Sequence, residues 1–328
     1  MNQNLRPLVR AAFAAALSAT AMVGAQAQNN VQIYGLLDLS AGRTQAPGGT
    51  ATKGVDSGKM TTSYFGIKGG EDLGGGINAT FAIEHFLRAD TGAAGRFDGD
   101  AFWARNAYVG LNGGFGGVTL GRNTTSLFVQ TLIFNAFGDA FGFSPSIRHY
   151  FTSGTTTGDT GWSDSVKYTS PRFGGATATL HMALGENNGG RNTGASLLYF
   201  GGPIAAGFAW QKVEKGGTVA DTDSWQLAGS YNFAAAKVFA QYGSVDNKTS
   251  GNDYKITGLG VSVPAGAGKA LVQWGHISPK TGASRTTISL GYDHNLSKRT
   301  DLYAVYMSDK LSGLSTGSNY GVGIRHRF

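Results

Sequence analysis

Cysteine is absent from the 328 residues, so no disulfide can staple the chain and its order must come from a backbone hydrogen-bond network. Proline is scarce, with seven residues and no repeat, which excludes collagen and Pro-rich disorder. Beyond the first two dozen residues no run approaches the roughly 18 apolar residues of a helical membrane span. If the chain enters a membrane, it does so as strands. Helical periodicity is nearly missing from Val31 to Phe328. The six histidines show no metal-like spacing, and the glycine run at 113–117 lacks the strand-turn-helix setting of a phosphate loop, so no cofactor is expected. No serine or aspartate nucleophile can be matched with a histidine and an acid, so an enzyme such as a barrel hydrolase is not expected. The formal charge of +7 is scattered instead of clustered, which argues against nucleic acid as a partner.

What is present begins with the N-terminus. Arg6 and Arg10 precede an apolar run from Ala11 to Val23, interrupted by Ser18 and Thr20, and Ala25-Gln26-Ala27 follows. This is the pattern of a secretory signal peptide over 1–27, too short for a span and cleaved before Gln28. Arg6 and Arg10 are its only charges, so removal lowers the formal net charge from +7 to +5. Glycine is abundant, at 52 residues or about twice the usual share of roughly 7%. Aromatics are plentiful, with 13 Tyr and 19 Phe.

The mature chain alternates with period two in stretches of about ten residues. In the last stretch Tyr320, Val322, Ile324, His326 and Phe328 share one face, and Gly321, Gly323, Arg325 and Arg327 the other. Ala176, Ala178, Leu180, Met182 and Leu184 alternate with Thr177, Thr179 and His181. The breaks alternate as well. Short ones fall at 71–75, 113–117, 171–175, 201–203, 234–236, 265–268 and 297–299. Longer polar ones fall at 41–59, 89–99, 123–161, 185–193, 214–222, 244–252, 278–283 and 309–317. Short turns at one end and long loops at the other, with about 16 strands between them, predict an all-β, up-and-down antiparallel transmembrane barrel. Lipid enforces closure, because an open edge would leave N–H and C=O groups unpaired at several kcal/mol each. A soluble sandwich or β-helix shares the same period. The loop asymmetry, the aromatic final residue and the small or charged polar faces favour the barrel. A narrow adhesin barrel of about eight strands is too small for this length.

Several motifs run in order along the chain: 31–42 (VQIYGLLDLSAG), 65–76 (FGIKGGEDLGGG), 105–111 (RNAYVGL), 118–122 (VTLGR), 165–171 (SVKYTSP), 296–303 (LSKRTDLY) and the terminal 325–328 (RHRF). In these the sequence resembles the trimeric general porins of the neisserial and β-proteobacterial type within the Gram-negative porin family. The resemblance implies a 16-stranded barrel in outer-membrane lipid, a homotrimer, and a long third loop folded into the lumen. It also implies a water-filled channel for passive diffusion of small hydrophilic solutes and ions, with Phe328 read by the barrel-insertion machinery. A substrate-specific outer-membrane channel is the alternative. One departure is visible: the family commonly carries a basic residue where this chain has Tyr64.

Parity with neighbouring apolar residues points Asp38, Lys68, Glu84, Arg105 and Lys167 inward, and Tyr64 shares the face of Lys68. Parity from Leu120 would face Arg122 outward, so a bend at Gly121 has to re-aim it. The 123–161 break far exceeds the 12–15 residues of ordinary loops. It carries Phe128, Phe134, Phe137, Phe141 and Phe143 with Asp139, Arg148 and His149. An apolar loop of this kind is expected to pack on the barrel wall. The arginines and lysines then form either a basic eyelet with modest anion preference or plain solvated wall.

Overall fold

The structure, a computed structural model, describes residues 30–156, 160–186, 190–214 and 219–328. The expected signal peptide lies outside them. The elements are β1 (Asn30–Thr44), β2 (Thr52–Ser57), β3 (Tyr64–Gly74), β4 (Ile77–Arg88), β5 (Ala93–Ala94), β6 (Asn106–Gly113) and β7 (Gly116–Thr124). Two short helices follow, α1 (Ser126–Ile133) and α2 (Pro145–Phe151). Then come β8 (Gly161–Thr169), β9 (Ala176–Ala183), β10 (Asn192–Gly201), β11 (Ile204–Val213), β12 (Thr222–Asn232) and β13 (Lys237–Asn247). The chain ends with β14 (Asn252–Ala265), β15 (Gly268–Pro279), β16 (Arg285–Asn295), β17 (Thr300–Leu311) and β18 (Gly317–Arg327). Of these eighteen strands β2 and β5 belong to loops, and the other sixteen pair antiparallel with their neighbours in sequence.

The first strand closes the sheet. Its lower half pairs with β3 from Asn30↔Gly70 to Leu36↔Tyr64, and its upper half with β18 from Leu36↔Arg327 to Arg43↔Tyr320. The last residue completes the seam: Phe328 N–H donates to Gly35 O (3.1 Å) and Gly35 N–H to Phe328 O (3.2 Å). Among the described residues each of the sixteen long strands pairs with a neighbour on both sides, which is the condition for crossing hydrocarbon. The alternation then sorts the two faces. Leu120, Leu180, Leu227, Leu259 and Val322 are all more than half exposed on the outside, while Gln226, Gln241, Gln273 and Ser289 are buried on the inside. Polar residues are covered and apolar ones uncovered, the inverse of a soluble protein, because the outer solvent is lipid.

The loop lengths depart from the sequence reading. The 244–252 break narrows to the four residues 248–251, since β13 and β14 stay paired as far as Asn247↔Asn252. Above the lipid band both faces of a strand meet water, so the apolar signal stops before the pairing does. The 41–59 break contains β2, which pairs back on β1 from Leu39↔Ser57 to Thr44↔Thr52. The third loop is also more ordered than expected. Thr125 caps α1 by accepting from Phe128 N–H (3.4 Å), and Ser144 caps α2 by accepting from Ile147 N–H (3.3 Å), with Pro145 in the first turn.

Candidate functional site

The third loop lies against the inner wall and is bonded to it. Gln130 Nε2 donates to Gln226 O (2.8 Å), and Gln241 Nε2 to the backbone oxygens of Thr131 (2.9 Å) and Phe134 (2.7 Å). Gln273 Nε2 donates to Ser146 Oγ (2.6 Å) and Ser289 Oγ to Phe143 O (2.6 Å). Leu127 and Tyr150 are buried with Ala209, Val245, Ile256 and Ile277 of the wall. Glycines on the wall make room for this contact. A Cβ at Gly243 would stand 2.2 Å from Tyr150 Oη, and one at Gly207 2.6 Å from Gln130 Oε1.

Across from the loop, β1, β3, β4 and the start of β6 gather a compact polar cluster. Glu84 is buried, accepts from Tyr34 Oη (2.6 Å), and is bonded by Arg105 Nη1 and Asn106 Nδ2. The Arg105 guanidinium lies over the Tyr64 ring, 4.0 Å from its centroid, and Lys68 Nζ is 4.6 Å from the Tyr34 ring centroid. A cation on an aromatic face gains about 0.5–2 kcal/mol, so Tyr64 holds a charge in place of carrying one. Arg105 reaches this position by a different route than parity suggests. It stands one residue before β6, and Val109 at the same parity is 57% exposed on the lipid side. Its side chain turns inward because the alternation has not yet begun there.

Other expected pore residues are spent elsewhere. Asp38 is fully buried and accepts from Met60 N–H (2.7 Å), Thr61 N–H (2.8 Å) and Tyr303 Oη (2.6 Å), so it anchors the first loop and faces no water. Arg148 donates to Asp309 (3.3 Å) and Phe141 O (3.4 Å), clamping α2 to β17, whose Asp309 also binds Arg285. It stands away from Glu84 because a buried carboxylate claims it. Neighbouring His149 bonds Thr287 Oγ1 (2.8 Å), and burial holds its pKa down to about 3, so it stays neutral. The bend expected at Gly121 is present, with φ of +123° and a register break before Asn123. It does not bring Arg122 to Glu84. That guanidinium donates to Ala104 O (2.5 Å), Gly161 O (3.3 Å) and Ser163 Oγ (3.1 Å), pinning the root of the third loop. Lys167 pairs in register with Thr119 and His181, and its Nζ donates to Thr124 O (3.4 Å) at the same root.

Asp139, near the turn between α1 and α2, accepts from Thr61 Oγ1 (3.0 Å) and lines two cavities. One, of about 490 Å³, opens among the long loops and includes Arg88, Arg96, Arg105, Phe128 and Leu132. The other, of about 330 Å³, opens toward the short turns and is walled by Lys269, Asp293, Asp301, Arg325 and Arg327. Burial raises the Asp139 carboxyl above the usual aspartate range. Tyr34, Asn106, Thr61 and the inner-wall glutamines are the residues the sequence reading passed over. Tyr34 was findable, since it shares parity with Asp38.

A closed sixteen-stranded barrel with an apolar outside, a polar inside and a loop laid along its inner wall defines a transmembrane β-barrel channel. The chain belongs to the Gram-negative porin family, whose profile matches residues 11–314. It is 32% identical to the outer membrane porin protein 32 of Delftia acidovorans, over 95% of this chain and 98% of that one. It is 27% identical to an outer membrane porin protein of Bordetella pertussis, over 96% and 99%. Among solved structures it is similar to the anion-selective porin from Comamonas acidovorans, with a TM-score of 0.79 and 27% identity over 92% of this chain and all of that one. The trimer form of OmpT from Vibrio cholerae shares the fold, with a TM-score of 0.66 and 16% identity over 92% and 99%. The chain is therefore an outer-membrane porin, a passive diffusion channel.

Proposed function

We propose that this porin passes small hydrophilic solutes and ions with a modest preference for anions, as a homotrimer, and that it carries out no chemistry. The observation that carries the preference is the placement of Arg105. It lines the larger cavity, over Tyr64 and facing the third loop. Lys68 adds a second cation over Tyr34, and the Glu84 carboxylate, ion-paired with Arg105 and bonded by Tyr34 and Asn106, offsets one of the two charges. Asp139 opposes these cations from the loop, so the charges across the passage partly cancel. Water in the lumen screens them further, within about 8–10 Å at physiological salt. The result is a bias in ion flow and not an absolute filter. Similarity to an anion-selective porin supports the sign, and a trimeric structure within the same fold supports the assembly. Insertion into outer-membrane lipid would use Phe328, whose ring is partly exposed at the seam, as the mark read by the insertion machinery. The test is the zero-current potential of the wild type and Arg105→Glu across a KCl gradient. Anion preference at low salt that fades at high salt, and a shift toward cations in the variant, are expected. A cation-favouring wild type refutes the reading.

A further inference from the structure

The surface of the third loop that faces the larger cavity is apolar. On α1, Leu127, Gln130 and Thr131 are buried toward the wall, while Phe128, Val129 and Leu132 are only half-buried and line the cavity. Phe141 joins them, its ring 5.9 Å from that of Phe128 and tilted by 30°. A loop that served only to narrow a water channel would be better off with polar side chains here, because apolar surface facing water is unfavourable. Such a patch marks a place where an apolar group is bound.

The other side of the same cavity carries Arg88, Arg96 and Arg105. Arg88 donates to Ala94 O (3.2 Å) and to Asp98 (2.6 Å), whose side chain is 94% exposed. An exposed pair of that kind contributes little and is readily exchanged. The Nη2 that binds Asp98 is thus the donor a solute carboxylate would take over. The one acid among the lining residues is Asp139, at the inner end. A volume of about 490 Å³ falls within the range of roughly 300–1,000 Å³ of small-molecule sites.

We propose that this cavity is a transient binding site for aromatic carboxylates, with the ring against Phe128, Leu132 and Phe141 and the carboxylate toward Arg88 and Arg105. This deepens the reading of an anion-preferring pore and rests on it. The apolar patch discriminates against acetate and other small anions, the arginines discriminate against aromatic cations, and Asp139 repels the carboxylate from the loop's tip and so orients it. A solute that dwells here interrupts the ion current for its residence time.

The experiment is single-channel recording in KCl with sodium benzoate added on the long-loop side, against sodium acetate, benzylammonium chloride and maltose. Benzoate is expected to produce resolved, concentration-dependent interruptions, and the other three none at the same concentration. Phe128→Ser and, independently, Leu132→Ser are each expected to weaken the benzoate effect by about threefold to tenfold, the equivalent of losing one ring or side-chain contact. Equal interruption by acetate, benzylammonium or maltose overturns the proposal, and so does an unchanged benzoate effect in both variants. The zero-current potential in KCl, taken on the same channels, reports separately on the anion-preference reading. Benzoate block without anion preference would sustain the site and refute that reading.

Discussion

Replacing Asp38 should loosen the passage without opening the barrel. Its carboxylate is fully buried and receives three donors, the backbone N–H groups of Met60 and Thr61 and the Tyr303 hydroxyl. A hydrogen bond to a charged group contributes about 1.5–3 kcal/mol, and three that share one acceptor are worth less than their sum, so Asp38→Ala should cost about 3–6 kcal/mol locally. Asp38→Asn keeps one acceptor oxygen where the two backbone donors meet and should cost about 1–2 kcal/mol, chiefly the difference between charged and neutral bonds. The loss does not spread to the strands, since β1 keeps both of its ladders. It reaches the third loop, because Thr61, held by Asp38, is the residue that bonds Asp139. Hydrogen exchange at Met60 and Thr61 should therefore quicken by roughly two or more orders of magnitude in the alanine variant, at 1.4 kcal/mol per factor of ten, and open-channel current noise should rise. Unchanged exchange at both amides, with normal noise, would refute this role for Asp38.

Four further outcomes are expected. Lowering the pH should raise anion preference before ordinary aspartates titrate at roughly 4, because burial raises the Asp139 carboxyl and protonation removes the acid opposing Arg105; Asp139→Asn should abolish that early rise in the zero-current potential. Gly243→Val should push Tyr150 and α2 off the wall, read as a changed single-channel conductance, since even a Cβ there would overlap the Tyr150 hydroxyl. Deleting Phe328 should lower the yield of heat-modifiable folded barrel on gels, because the seam loses both bonds to Gly35. Mass spectrometry of the exported protein should find Gln28 at the N-terminus, and an intact Met1 would contradict that.

The barrel was legible because lipid imposes one rule on every strand. Alternation such as Leu180, Met182 against His181 reads the same in any strand, and the short turns overlap the sequence breaks, though β3 stays paired as far as Gly74 and leaves only 75–76 of the first as turn. The site was legible in part. Lys68 and Glu84 sit mid-strand, where parity decides direction, and Tyr64, at the start of β3 but paired on both sides with Leu36 and Phe86, meets them on one wall. Arg105 and Arg122 sit at a strand start and a bulge, where parity has no force and local partners decide. Asp38 and Arg148 show a further gap. Parity says that a charge faces inward but not whether a loop will cover it, and the covering depends on long-range contacts such as Asp38 with Tyr303 and Arg148 with Asp309. The helices of the third loop carried a local signal in Thr125 and in Ser144-Pro145, outweighed by the lack of helical period around them.

The central claim is that solutes pass between the third loop and the wall that carries Tyr64 and Arg105. A chain with no cysteine of its own allows this to be tested without background. The measurement is the single-channel conductance of Tyr64→Cys before and after a charged methanethiosulfonate reagent, with Leu197→Cys on the lipid-facing surface as the control. The account predicts a stepwise fall in conductance for Tyr64→Cys, of opposite effect on anion preference for anionic and cationic reagents, and no change for Leu197→Cys. Unaltered conductance in fully labelled Tyr64→Cys channels would contradict it.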